Sequence, residues 1–156
     1  MLLNPTEPTN ILDREIVSTR LIDSSRELVF KAWTDPSHLV HWWGPKGFTS
    51  TFYEFDPTPG GRWRFVLHGP DGRDYKNESV FLEVVQPERI VFDHISGPKF
   101  RLTATFNDEA HKTRVTFRQL FETVAECAKV KLFAVPANEE NFDRLEFELQ
   151  RMKEQS

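Results

Sequence analysis

Hydrophobic and polar positions fall into three successive patterns along the chain, and their order predicts the fold. Residues 1–12 show little periodicity, with Pro5 and Pro8 among polar neighbours, and read as a flexible lead-in. Glu15 to Ile22 alternates and is β-branched, which predicts a strand. Asp23-Ser24-Ser25 breaks it. Ser24 with Glu27 three residues later has capping-box spacing, and Leu28, Val29, Ala32 and Trp33 share one helical face. A short helix is therefore expected up to about Thr34. Asp35-Pro36 supplies an N-cap and a first-position proline for a second short helix, which carries Leu39, Val40, Trp42 and Trp43 and stops at Gly44-Pro45.

From Phe48 to Phe121 the pattern is a run of strands: Phe48–Phe55, Gly61–His68, Asp74–Val85, Arg89–His94, Phe100–Asn107 and Thr113–Phe121. Short turn sequences separate them, among them Pro59-Gly60-Gly61, Gly69-Pro70-Asp71-Gly72 and Gly97-Pro98. Separators this short imply antiparallel neighbours. Phe100, Leu102, Ala104 and Phe106 alternate with Arg101, Thr103 and Thr105, so one sheet face is buried and the other solvated.

Beyond Phe121 the period becomes helical. Thr123 and Glu126 form a second capping box, predicting a short helix that Pro136 interrupts. Asn138 reads as the N-cap of a separate last helix, with Glu139 and Glu140 in its first turn and an apolar stripe of Phe142, Leu145, Leu149 and Met152. The order is strand, two short helices, six strands, terminal helix. It predicts an α+β helix-grip domain over 13–156, a curved antiparallel sheet of about six or seven strands wrapped around the C-terminal helix. Such a sheet can leave a gap against its helix, open or filled, and an aromatic-lined gap is what a small-molecule site looks like.

Composition sharpens this picture. The 156 residues fit one domain, and 38% hydrophobic with 28% charged residues is a globular balance. Fourteen Phe and four Trp are more ring area than a tight core of this size needs, which leaves a ring-lined cavity and a ring-filled core equally open. A net charge of −4 argues against a nucleic-acid partner. No apolar stretch is long enough to span a membrane, and no signal-peptide run is present. Cys127 is the one cysteine, so internal disulfides and thiolate clusters are excluded and a cytoplasmic location is the expectation.

Several segments together resemble a known family. Val29-Phe30-Lys31-Ala32-Trp33-Thr34-Asp35-Pro36 followed by His41-Trp42-Trp43-Gly44-Pro45 is similar to the signature of the activator-of-heat-shock-protein-90-ATPase homologue (AHSA) branch of the SRPBCC, START-like superfamily. Pro59-Gly60-Gly61-Arg62-Trp63-Arg64-Phe65, Gly69-Pro70-Asp71-Gly72 and Val84-Val85-Gln86-Pro87-Glu88-Arg89-Ile90 resemble its glycine-pair strand, its hairpin and its proline-centred turn. The resemblance covers roughly Asp13 to Phe121. It implies the helix-grip fold and usually a hydrophobic cavity, and it implies no shared catalytic set. Where members often carry a Gly-Trp pair entering the last helix, this chain has Asn141-Phe142.

The residues expected to face a ligand are Trp42, Trp43, Phe52, Trp63, Phe65, Phe81, His94, Phe106, Phe117, Phe142 and Leu145. Each ring has a second reading as plain core: of Trp42 and Trp43, one could pack under its helix while the other covers a loop. His94 is either a polar group in the pocket or a satisfied strand-end histidine. His38 and His41 lie three apart but lack a third ligand at standard spacing, so no metal and no cofactor is expected. No catalytic residue is assigned, because the faces of Glu54, Asp56, Glu78, Glu83 and Asp93 cannot be read and Cys127 has no evident base.

The expected function is binding of a small hydrophobic molecule. One alternative is a hydrolase or cyclase built on an inward His94 and an inward carboxylate. The other is a chaperone-ATPase interaction module, which rests on the resemblance alone. An exposed strand edge and apolar patches leave a homodimer open.

Overall fold

The alternating segment near the N-terminus forms β1 (Glu15–Ile22) in the computed structural model, which describes residues 13–155. The expected lead-in, 1–12, lies outside the described residues. Two short helices follow, α1 (Arg26–Thr34) and α2 (Pro36–Trp42), then β2 (Thr49–Phe55), β3 (Arg62–His68), β4 (Asp74–Val85), β5 (Arg89–His94), β6 (Phe100–Glu109) and β7 (Lys112–Leu120). A single long helix, α3 (Val124–Gln155), completes the chain. The strands form one antiparallel sheet in the order β1-β7-β6-β5-β4-β3-β2. Bulges at Phe52/Glu54 and Phe81/Glu83 add local twist and help the sheet curl. This is the helix-grip architecture expected from the sequence, with strand ends within two residues of the predicted ones.

Two local expectations are corrected. The cap of α1 is Ser25, whose Oγ accepts from Leu28 N–H at 3.2 Å; Ser24 is buried and its carbonyl accepts from the Thr113 hydroxyl at 2.6 Å. Ser25 therefore takes the N-cap because the tertiary bond to Thr113 holds Ser24 outside the helix.

The second correction concerns α3. Its start is the Thr123–Glu126 capping box, as expected, with Glu126 N–H donating to Thr123 Oγ1 at 3.1 Å. Pro136, however, does not end that helix, and Asn138 caps nothing. A proline deprives the carbonyl four residues earlier of its donor. That residue is Leu132, 85% exposed, where water can serve instead. Packing secures both flanks. Cys127 and Ala134 pack with Ile16 and Phe121 on one side of the proline. On the other, Asn138 Nδ2 donates to Ser18 Oγ and Gln119 Oε1 at 3.1 and 2.9 Å.

Further bonds fix α3 across the concave face. Arg20 of β1 donates to Asp143, Glu146 and Glu139 at 2.6, 2.7 and 2.8 Å, and its guanidinium lies over the Phe142 ring. Arg144 donates to the carbonyls of Gly44, Pro45 and His41, tying the helix to the end of α2. The main core lies between α3, α1, α2 and the sheet, with Phe142, Leu145, Leu149 and Met152 facing Trp33, Phe106 and Phe117. Gly61 enters β3 so close to the preceding strand that a Cβ there would sit 2.1 Å from the Asp56 carbonyl oxygen. That explains the second glycine of the pair read in the sequence.

Candidate functional site

Direct cross-strand partners share one face of a sheet, so the register assembles the concave face row by row. One row runs Phe55, Trp63, Ser79, His94, Phe100 across β2 to β6. Phe52, Phe65 and Asn77 form the row beside it. On the other side lie Phe81, Phe92, Leu102 and Gln119. In the first row Ser79 is the one small side chain among rings. A partly enclosed recess of about 210 Å³ opens there, between the sheet and α3. Its floor is Trp63, Ser79, His94 and Phe100; Trp43, Gly44 and Pro45 close it from the end of α2, and Ala137, Asn138 and Asn141 from α3. A larger groove at the surface is bordered mainly by charged side chains such as His41, Lys46, Glu140 and Arg144; two others, open at the sheet surface, have mixed linings that share Phe65 and Asn77, or His94 and Phe100, with the recess.

The structure thus divides the expected ligand-facing residues. Trp43, Trp63, Phe65, His94 and Phe117 border the recess. Trp42, Phe52, Phe81, Phe106, Phe142 and Leu145 belong to the packing around it. Trp42 donates its indole N–H to the Ala32 carbonyl at 2.9 Å and meets Trp33 edge-on. Phe142 packs on Phe117 with ring centres 4.5 Å apart. Of the Trp42-Trp43 pair, the first ring packs in the core and the second borders the recess.

The polar groups of the recess were largely missed. Ser79 and Asn77 share the parity of Phe81, and Gln119 shares that of Phe117, so strand alternation places all three inward. That parity was the available signal. From α3, Asn141 Oδ1 accepts the Gly44 N–H at 2.8 Å, which fixes the Gly44 turn in its left-handed conformation (φ +107°) over the recess.

His94 is 8% exposed and stacks on Phe100 at 4.8 Å. Its Nδ1 lies 2.7 Å from the Pro98 carbonyl and donates to it. Nε2 lies 2.7 Å from Asn77 Oδ1 and 3.4 Å from the Ser96 hydroxyl. Burial pushes the imidazole below its ordinary value, and hydrogen bonds to the backbone at Pro98 and Ser96 offset part of that. In the neutral ring Nε2 accepts from Ser96 Oγ; the protonated ring suits Asn77 Oδ1. None of these partners is the carboxylate that the enzyme alternative requires.

The strand carboxylates point away from the recess. Glu54, Glu78, Glu83 and Asp93 pair with Arg64, Arg62, Arg89 and Arg101 on the outer face. Asp56 accepts the Thr58 hydroxyl in the following turn. Among the described residues that border the recess, none is charged apart from what His94 can carry. Cys127 is buried, and burial pushes its thiol above the ordinary value, away from nucleophilic use.

Three buried side-chain atoms of the described residues have no hydrogen-bond partner: Trp63 Nε1, Ser79 Oγ and Trp33 Nε1. Each such group costs about 1–3 kcal/mol, and native folds hold few of them.

The geometry of motif, sheet and helix agrees with a match to a family model. The model for activator of Hsp90 ATPase homolog 1-like protein matches residues 23–150. The chain belongs to that family. The match runs into the last helix, past Phe121, where the motif resemblance stops. No curated protein matches the chain by sequence.

Solved structures share the fold of this family member. A Nitrosomonas europaea protein has a TM-score of 0.84 at 20% identity, covering 91% of this chain and 97% of its own. A Rhodobacter sphaeroides protein has a TM-score of 0.82 at 21% identity, with 89% and 94% covered. An AHSA1-like protein from Aeromonas hydrophila has a TM-score of 0.73 at 21% identity, again with 89% and 94% covered. Among the described residues no helix is long and apolar enough to cross a membrane.

Proposed function

We propose that this AHSA1-like chain binds a small, mostly apolar molecule in the recess between the sheet and α3. The observation that carries the reading is the ring-walled gap of about 210 Å³ at Ser79. That volume lies below the roughly 300–1,000 Å³ of drug-sized sites. It exceeds an apolar cavity of about 150 Å³ that accepts benzene, so the occupant is the size of a single ring with a short substituent. Trp43, Trp63, Phe65, His94 and Phe117 are its contacts in this reading. The other expected ligand-facing residues shape the walls from behind.

Hydrolase or cyclase chemistry receives no support from the groups around His94. The chaperone-regulatory reading rests on the family's description alone. A cytoplasmic location belongs to the same proposal as the ligand.

Native mass spectrometry of the protein purified from cells tests the reading, with denaturation to identify whatever is released. A stoichiometric small molecule, absent from a Ser79→Phe variant that still folds, is the expected result. A bare mass for the cell-derived protein, together with failure of single-ring aromatic probes to bind, would remove the reading. The same spectra report whether the chain is a homodimer.

A further inference from the structure

Three side chains at the β2–β4 end of the sheet form a hydrogen-bonded chain on its outer face. His68, the last residue of β3, is directly paired with Asp74, the first of β4, and lies diagonal to Thr51 of β2. His68 Nδ1 lies 2.7 Å from Asp74 Oδ1, and Nε2 lies 2.8 Å from Thr51 Oγ1. An ionised carboxylate only accepts, so Nδ1 carries the ring hydrogen, and Nε2 of the neutral ring accepts from the Thr51 hydroxyl. A hydroxyl, a base and a group that orients the base thus stand in that order within hydrogen-bond reach. That is the arrangement that activates a hydroxyl for acyl transfer.

Solvent reaches these groups: Thr51 is exposed, and the His68 side chain is 35% exposed. Beside them is an open groove of about 360 Å³ whose lining includes Tyr53, Val66 and Lys76. Val66 pairs directly with both Thr51 and Lys76, so the lysine stands in the same row as the hydroxyl. Its positive charge favours the negative oxygen of a tetrahedral intermediate formed in that groove. Tyr53 is exposed and offers a ring to an aryl group. None of Thr51, His68 and Asp74 borders the recess.

We infer that the outer face carries an acyl-transfer site for small aryl esters, with Thr51 as nucleophile, His68 as general base and Asp74 as the positioning residue. Thr51 Oγ1 attacks the ester carbonyl carbon while His68 Nε2 takes the hydroxyl proton. The bond from that carbon to the aryl oxygen breaks, and His68 hands the proton to the leaving phenolate. Water then attacks the acyl-threonine with the same base, which releases the carboxylic acid and restores the hydroxyl. The site does not depend on the recess or its ligand.

The test uses the full chain with 4-nitrophenyl acetate, read by release of 4-nitrophenolate and by peptide mass mapping after an acid quench. An acetyl group on Thr51 is expected. Thr51→Ala and His68→Gln are each expected to lower kcat/KM about tenfold or more. Asp74→Asn should lower kcat with KM unchanged, and Asp74→Glu should restore part of it, a split that a merely structural contact would not give. All three side chains are at the surface, so the variants should keep the circular dichroism of the natural chain. Turnover retained in Thr51→Ala, or acetyl groups found only on lysines or on His68, overturns the inference and leaves a surface hydrogen-bond chain. Hydrolysis no faster than in buffer overturns it equally.

Discussion

Glu148 of α3 accepts from His38 Nδ1 of α2 at 2.8 Å, although its side chain is almost wholly buried. Arg151, one turn further on, donates to the other carboxylate oxygen at 2.5 Å. The pair fastens α2, and with it the Trp43–Pro45 segment over the recess, to the covering helix. Removing one partner of a buried charge leaves the other poorly compensated. His38→Ala is expected to cost about 1–3 kcal/mol in urea unfolding at neutral pH. Arg151→Ala should cost less, because solvent reaches that guanidinium, and the double variant should lose more than the sum. Strict additivity would show that the carboxylate does not depend on them jointly.

The histidine at the recess predicts a pH dependence of stability. The folded-state value of His94 is depressed, so the unfolded chain binds its proton first as pH falls. Stability from this site is complete above the usual imidazole value of about 6.5 and is lost as pH drops from there toward the depressed folded value. The slope in that window is at most about 1.4 kcal/mol per pH unit. Groups around the ring are Asn77, Ser96, the Pro98 carbonyl and Phe100. Urea unfolding from pH 8 to 5 should show a shallower fall for His94→Gln than for the natural chain. Parallel curves would mean that His94 titrates alike in both states.

Ser79 predicts opposite effects for two substitutions. Ser79→Ala deletes a partnerless hydroxyl and should leave thermal stability unchanged or slightly raised. Ser79→Phe places a ring where the row already holds Trp63 and His94, and overpacking should cost about 1–3 kcal/mol. A marked loss in Ser79→Ala would reveal a bond to the hydroxyl, against the partnerless assignment.

Pro136 lies inside α3, where it removes the backbone bond to Leu132 in an exposed turn. Interior proline costs about 3 kcal/mol relative to alanine in a helix. Pro136→Ala should raise the thermal midpoint, with helical circular dichroism unchanged or increased. A lower midpoint would mean that the proline ring contributes packing worth more than the lost bond.

Most of the fold was legible because strand alternation and turn chemistry agree along the chain. The Phe100–Phe106 parity, the Asp35-Pro36 start and the Thr123–Glu126 box all became the elements they predict. Pro136 misled because local propensity speaks for a stop, while burial of Cys127, Ala134, Phe142 and Leu145 on both sides of it favours continuity. The site was legible only in part. Ring content identified Trp43, Trp63 and Phe65, but hydrophobicity alone cannot separate a ring that borders space from one that fills it, as Trp42 and Phe142 do. Asn77, Ser79 and Gln119 carried the clearer signal, polar side chains on an inward parity, and composition hides it.

The recess depends on one small side chain in a line of large ones, and this has a consequence for how such chains diverge. A single codon change at that position can shut, widen or re-polarise the chamber while sheet register and helix stay as they are. The architecture can persist at about one-fifth identity. The size and polarity of that chamber are then free to change faster than the shape around it, and likeness of shape is a poor guide to what the chamber admits.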